Sequence, residues 1–199
     1  MLSTVHTLKI YGLIIMRLIS PETAPKFQLI DSHGKVVRLD SGKRTLLAFF
    51  RDTNCPFCNF RIFQLTQHYK KLSDEGLEII AFFSSTHEEV NEFVRKRPRP
   101  FTIVADPENI AYKAYGIERS MARSAYSVFR HFVSWVLGIK IIGAEGLKKN
   151  LQNPSDIMPA DFLIDEQGYI IETYYGSDAS DHIPFEYIYK FLNADQNPK

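Results

Sequence analysis

Thr45-Leu46-Leu47-Ala48-Phe49-Phe50-Arg51-Asp52-Thr53-Asn54-Cys55-Pro56-Phe57-Cys58-Asn59-Phe60 is the stretch that decides the fold. Its first six residues carry no charge and read as a buried strand. Asn59 to Leu72 reads as a helix, with Cys58, Ile62, Leu65, Tyr69 and Leu72 on one face at steps of four and three. The chain's two cysteines fall at the junction, three apart. Thiols at that spacing can close a disulfide across the first helical turn and open it again. A strand that ends in a CxxC opening a helix is a redox arrangement.

The junction assigns roles to the two sulfurs. Only a thiolate attacks, and a free thiol ionises near pH ~8.5. Cys55 stands where the helix begins, with Pro56 at the favoured first helical position. Backbone N–H groups and the helix dipole favour an anion there and lower its pKa. Arg51 and Arg61 are the nearby cations. Cys58, one turn inside, is expected to be more buried and less acidic. Cys55 therefore attacks and Cys58 resolves by closing the disulfide. Three plainer readings stand beside this one. A zinc site needs two more ligands, yet His68 and His87 are the nearest histidines and no second CxxC or HxxxH exists. Inert core thiols and a structural disulfide in an exported protein are the others. No metal or cofactor is implied.

Outward from the motif the elements alternate. Phe27–Leu39 reads as a hairpin with a turn at Gly34, and Leu77–Phe83 as a strand covered on both faces. Ser85 and Thr86, each three residues before Glu88 or Glu89, cap a helix that ends before Pro98. Phe101–Ala105 is a further strand. Asp106-Pro107 opens a helix that Gly116 closes. Asp161–Thr173 is a second hairpin, and Ile183–Leu192 a final helix. This order predicts an α/β fold with a central mixed sheet and helices on both faces.

Composition sets the limits. The chain has 199 residues and a net charge of +1, which gives no bulk attraction to nucleic acid. Two adjacent cysteines make no disulfide scaffold. One domain over residues 20–195 is expected, between an extension (1–19) and a tail (196–199) that frays from Asn193. Within the extension, Ile10–Met16 is an apolar run far below the ~20 residues that span a bilayer. It reads as a short strand or helix packed on the domain, or as an over-long start before Met16. A cytoplasmic location is expected.

An insert over residues 119–153 exceeds a minimal domain. Tyr126, Phe129, Phe132, Val133 and Val136 recur at helical spacing, with Met121 and Trp135 nearby. Six basic residues, Arg119, Arg123, Arg130, Lys140, Lys148 and Lys149, face one acidic residue, Glu145. The plainer reading is a helix packed over the sheet or the thiols, its charges solvated. A basic amphipathic helix can also lie on an anionic membrane or grip a partner. The aromatic face is expected to wall the cleft beside Cys55 and Pro159, because exposing it would leave a large apolar patch.

Three blocks together resemble the AhpC/TSA, or peroxiredoxin-like, branch of the thioredoxin superfamily. They are Ala24-Pro25-Lys26-Phe27-Gln28-Leu29 with Asp31 and Gly34; Leu46–Arg51 leading to Cys55-Pro56-Phe57-Cys58; and Pro159-Ala160-Asp161-Phe162-Leu163-Ile164-Asp165 with Gly168. The likeness covers residues 20–192 apart from the insert. It implies a thioredoxin-like fold, a Cys55 nucleophile and a Pro159 loop beside the thiols. That proline is expected to be cis, with the Met158 backbone placed to pair with a substrate strand. Met158, Pro159, Pro56 and Phe57 are then the substrate-contacting residues.

The implied activity is a thiol oxidoreductase acting on hydroperoxides or oxidised thiols, re-reduced by a thioredoxin- or glutathione-type thiol donor. A homodimer and a peripheral membrane contact through the insert are left open. Some positions depart from the pattern. Peroxiredoxins place a Thr three residues before the reactive Cys, where this chain has Asp52, with Thr53 one step late. They place an Arg three residues before the Phe of the late strand, where this chain has Pro159. Thioredoxins bury an Asp six residues before the first Cys, where this chain has Phe49. A thioredoxin- or TlpA-like protein disulfide reductase, and a docking module with a redox switch, are the alternatives.

Overall fold

The computed structural model describes residues 8–10, 13–15, 17–39 and 42–194. Strands β1 (Leu8–Ile10) and β2 (Leu13–Ile15) pair antiparallel as a separate hairpin. Met16 and the tail beyond Ala194 lie outside the described residues. Next come β3 (Glu22–Thr23), then β4 (Gln28–Ile30) and β5 (Val36–Arg38), which form the expected hairpin around Gly34. β6 (Arg44–Phe49) runs into α1 (Pro56–Asp74), β7 (Leu77–Phe83), α2 (His87–Lys96) and β8 (Thr102–Ala105). Then follow α3 (Ile110–Ala114), α4 (Met121–Arg130), α5 (Phe132–Gln152), β9 (Ala160–Ile164), β10 (Tyr169–Tyr175) and α6 (Phe185–Asn193).

The main sheet has six strands in the order β3-β10-β9-β6-β7-β8. β6, β7 and β8 are parallel, while β9 runs antiparallel to β6 and β10 to β9. The apolar run of β6 serves two cores, because successive side chains point to opposite faces. Leu46, Ala48 and Phe50 pack with Ile62, Leu65 and Leu72 of α1. Leu47 and Phe49 pack on the other face with Phe82, Tyr112, Tyr115 and Phe162. This placement at the sheet centre fixes where the Cys55 loop emerges.

Local signals account for most of the helix ends. Thr86 and Glu89 form the reciprocal capping box of α2, whereas Ser85 turns inward and its hydroxyl accepts from the Thr53 N–H at 3.1 Å. The helix expected to open at Asp106-Pro107 begins instead at Ile110. The Asp106 carboxylate accepts from the Ile110 and Ala111 N–H groups, both at 2.8 Å, so it caps a turn further on and Pro107 lies in the loop between.

The bond expected to be cis at Met158–Pro159 is trans; Ser20–Pro21 is the cis bond among the described residues. The approach to β9 gives the reason. Ile157 bridges Arg119 in antiparallel fashion, and the Met158 N–H donates to the Glu118 carbonyl at 2.8 Å. The chain is already extended as it reaches the strand, and a trans proline at the strand start continues that path.

Candidate active site

Cys55 is the N-cap of α1, with extended backbone angles and Pro56 at the first helical turn. Its sulfur accepts from the Cys58 N–H at 3.3 Å. The sequence places a donor-rich helix end under one thiol, and the fold adds a cation. Arg51 lies two residues past the end of β6 and brings Nη1 to 3.9 Å from the Cys55 sulfur. The Arg51 backbone N–H points at the Cys58 sulfur, 3.4 Å away. Both cysteines are free.

Electrostatics separates the two thiols in the expected sense. Burial pushes Cys55 up, but the hydrogen bond from Cys58 and the charge of Arg51 outweigh it and hold the thiol below its ordinary value. Burial pushes Cys58 well above the ordinary value, and the neighbouring Cys55 adds to the rise. Burial alone does not distinguish them, contrary to expectation, because both side chains are wholly enclosed. The insert is the cause: α5 crosses the motif so closely that a Cβ at Gly138 would overlap the Pro56 carbonyl.

Arg51 is held by the insert and by the segment that follows it. Its Nη2 donates to the Ser124 hydroxyl of α4 at 2.6 Å and to the Ser155 carbonyl. Arg61, the other sequence candidate, turns away. It donates to the Ile183 carbonyl at 2.5 Å and lies over the Phe185 ring. Asp52 keeps one oxygen on the Asn54 N–H at 2.9 Å, and burial raises its pKa. Thr53 faces Ser85 rather than the sulfurs.

The expected aromatic wall is not formed. The insert does cover the thiols, but with the opposite face of α4. Ser124 and Ser127 point inward, Ser127 donating to the Arg123 carbonyl and accepting from the Ala179 N–H at 2.7 Å. Tyr126, Phe129, Phe132 and Val133 are exposed. Small side chains win the inner face because the helices approach too closely for rings. Trp135 and Val128 alone among the large insert residues of that stretch pack against the α1-side core.

The remaining expected contacts are placed as follows. Pro56, Phe57, Met158 and Pro159 are all buried. Ala160 pairs with Phe49, so Met158 and Pro159 arrive at the level where β6 hands over to the motif. Phe57 lines a cavity of about 200 Å³ with Arg61, His131 and His182. A second cavity, about 110 Å³, lies between α1, α2 and α5, bordered by Thr53, Asn59 and Ile142. The Asn59 amide donates to the Thr53 and Cys55 carbonyls at 2.8 and 3.0 Å and braces the loop.

One buried pair escaped the sequence reading. Asp161 of β9 accepts from the Ile183 N–H at 2.8 Å and holds His182 Nδ1 at 2.9 Å. The His182 ring packs 4.8 Å from Phe50. Asp161 pairs in register with Ala48, on the face that carries α1. A charged residue inside an otherwise apolar strand was the available signal.

A model of the AhpC/TSA family matches residues 21–173, spanning both the motif and the insert. The chain belongs to the AhpC/TSA family. Among curated relatives it is similar to a chloroplastic peroxiredoxin Q from Sedum lineare, 26% identical over 106 residues, 52% of this chain and 57% of the relative. The chain spans about half the length of the curated relatives it matches. Among solved structures, a thiol peroxidase from Chromobacterium violaceum superposes with a TM-score of 0.62 at 13% identity, covering 94% of this chain and 95% of that one. The thioredoxin domain of a thiol-disulfide oxidoreductase from Bacteroides vulgatus gives 0.53 at 18% identity, over 88% and 99%. These likenesses establish the thioredoxin-like fold of this AhpC/TSA member.

Proposed function

We propose that the protein is a thiol-dependent peroxidase in which Cys55 reduces small hydroperoxides and Cys58 resolves. The observation that carries this reading is the Cys55 sulfur at a helix N-cap, beside a buried guanidinium and one turn from a second thiol. The Cys55 thiolate attacks the terminal peroxide oxygen and the O–O bond breaks. Cys55 becomes a sulfenic acid, and the alcohol leaves after taking up a proton. Cys58 then attacks the Cys55 sulfur, water departs and a disulfide forms. Two electrons from a thiol donor, itself oxidised to a disulfide, restore the dithiol.

A small oxidant suits the site better than a protein disulfide. The thiols are enclosed beneath α5, and the Met158 N–H, which a substrate strand would need, is already donated to Glu118. Peroxide treatment of the Cys58→Ser variant should leave a sulfenic acid on Cys55 that a dimedone-type reagent traps. Wild type should form the intramolecular disulfide while consuming peroxide. Insulin reduction with no peroxide consumption would instead assign the protein to the disulfide reductases.

A further inference from the structure

The α4–α5 corner has its amphipathicity inverted. The polar residues Ser124 and Ser127 face the protein, while Ala122, Ala125, Tyr126 and Phe129 form the outward stripe of α4. The two helices bend by 97° at His131, so the apolar stripe continues around the corner onto Phe132, Val133 and Leu137 of α5. Phe129 is 85% exposed and Val133 71%, far beyond an isolated surface ring. Neither helix alone is long and apolar enough to cross a membrane.

Charge identifies what meets this corner. Arg130 sits beside Phe129, and Lys140 is exposed on α5 a turn past Leu137, while Lys148 is exposed beyond the break in that helix at Gly143. None of the three makes an ion pair among the described residues, whereas Arg119, Arg123 and Lys149 are paired with Asp156, Glu118 and Glu145. The result is a convex apolar tip with free cations behind it. In a bilayer surface the rings reach the acyl boundary while the cations lie at the headgroups. A second copy of this chain is a poorer occupant, because a symmetric pairing would bring two sets of the unpaired cations Arg130 and Lys140 to one interface.

We infer that the α4–α5 corner docks the protein peripherally on an anionic lipid surface, with Tyr126, Phe129, Phe132 and Val133 inserted and Arg130 and Lys140 at the phosphates. This inference is independent of the peroxidase reading, since it uses no residue that touches the thiols.

Trp135, the chain's one tryptophan, lies a turn past the corner and reports on it. The full-length protein is mixed with phosphatidylcholine vesicles with and without phosphatidylserine. Co-sedimentation and a tryptophan blue shift are expected with the anionic vesicles, weakening as salt is raised. The Phe129→Ser/Phe132→Ser variant should bind about tenfold or more weakly. Arg130→Gln/Lys140→Gln should lose about fivefold per cation removed. Cys55 alkylation and circular dichroism, unchanged in these variants, show that the fold persists. Three results would overturn the inference: no vesicle binding, binding that the Phe129/Phe132 changes leave intact, or a wild-type dimer that those changes dissociate.

Discussion

Cys55 and Cys58 have the same covalent chemistry and the same burial, so their difference lies in hydrogen bonds and one charge. The Arg51 guanidinium contacts the Cys55 sulfur, whereas Cys58 meets the Arg51 backbone N–H, and the α1 N-terminus points at Cys55. The consequences for stability have opposite signs. Cys55, with its folded pKa lowered, stabilises the fold above the ordinary thiol pKa and loses that contribution as pH falls through the folded value. Cys58, with its folded pKa raised, stabilises below the ordinary value and loses its share as pH climbs. Replacing Arg51 by Met removes the cation and keeps much of the packing. The pH midpoint of Cys55 alkylation should then move upward and alkylation at neutral pH should slow. An unchanged midpoint would mean that the helix end alone activates the thiol. Arg51→Lys, which keeps the charge, should restore part of the effect.

At the level of elements, α1, β6, β7, β8, α2 and the terminal hairpin were legible because periodicity and capping are local properties. Cys58, Ile62, Leu65 and Leu72 lie on the buried face of α1 as their spacing implies. The features that the sequence hid depend on contacts far along the chain. A trans Pro159 follows from the Met158–Glu118 pairing, and the late start of α3 from the reach of Asp106. The insert illustrates the gap best. Its helical period was readable, but which face turns inward was decided by how closely α5 must cross Pro56, and Gly138 permits that approach. Gly138→Ala therefore tests the insert as a cover. Overpacking there should destabilise by about 1–3 kcal/mol, read as a lower denaturation midpoint. The displaced helix should also expose Cys55 to faster alkylation. A slower or unchanged alkylation rate would mean that α5 does not gate the thiols.

In the whole molecule the sheet separates two tasks. Its α1 face carries the thiols, Arg61 and the Asp161–His182 pair, while the opposite face is an aromatic core without chemistry. Phe49 belongs to that second core. Its ring stacks on Phe82 at 4.7 Å and meets Tyr112, Tyr115 and Phe162 within 5.7 Å. The position where thioredoxins bury an acid is thus turned away from the cysteines, and the acid on the reactive face comes from β9 instead. This division makes a prediction that a diffuse coupling of core and site would not. Phe49→Ala leaves a large cavity in a rigid layer and should cost about 3–5 kcal/mol of stability, measured by urea unfolding. In the folded variant the rate and pH midpoint of Cys55 alkylation should stay at wild-type values, because Phe50, not Phe49, lies on the motif's side. A shifted midpoint at unchanged folding would show that the aromatic layer sets the position of Arg51, and the separation of the two faces would have to be abandoned.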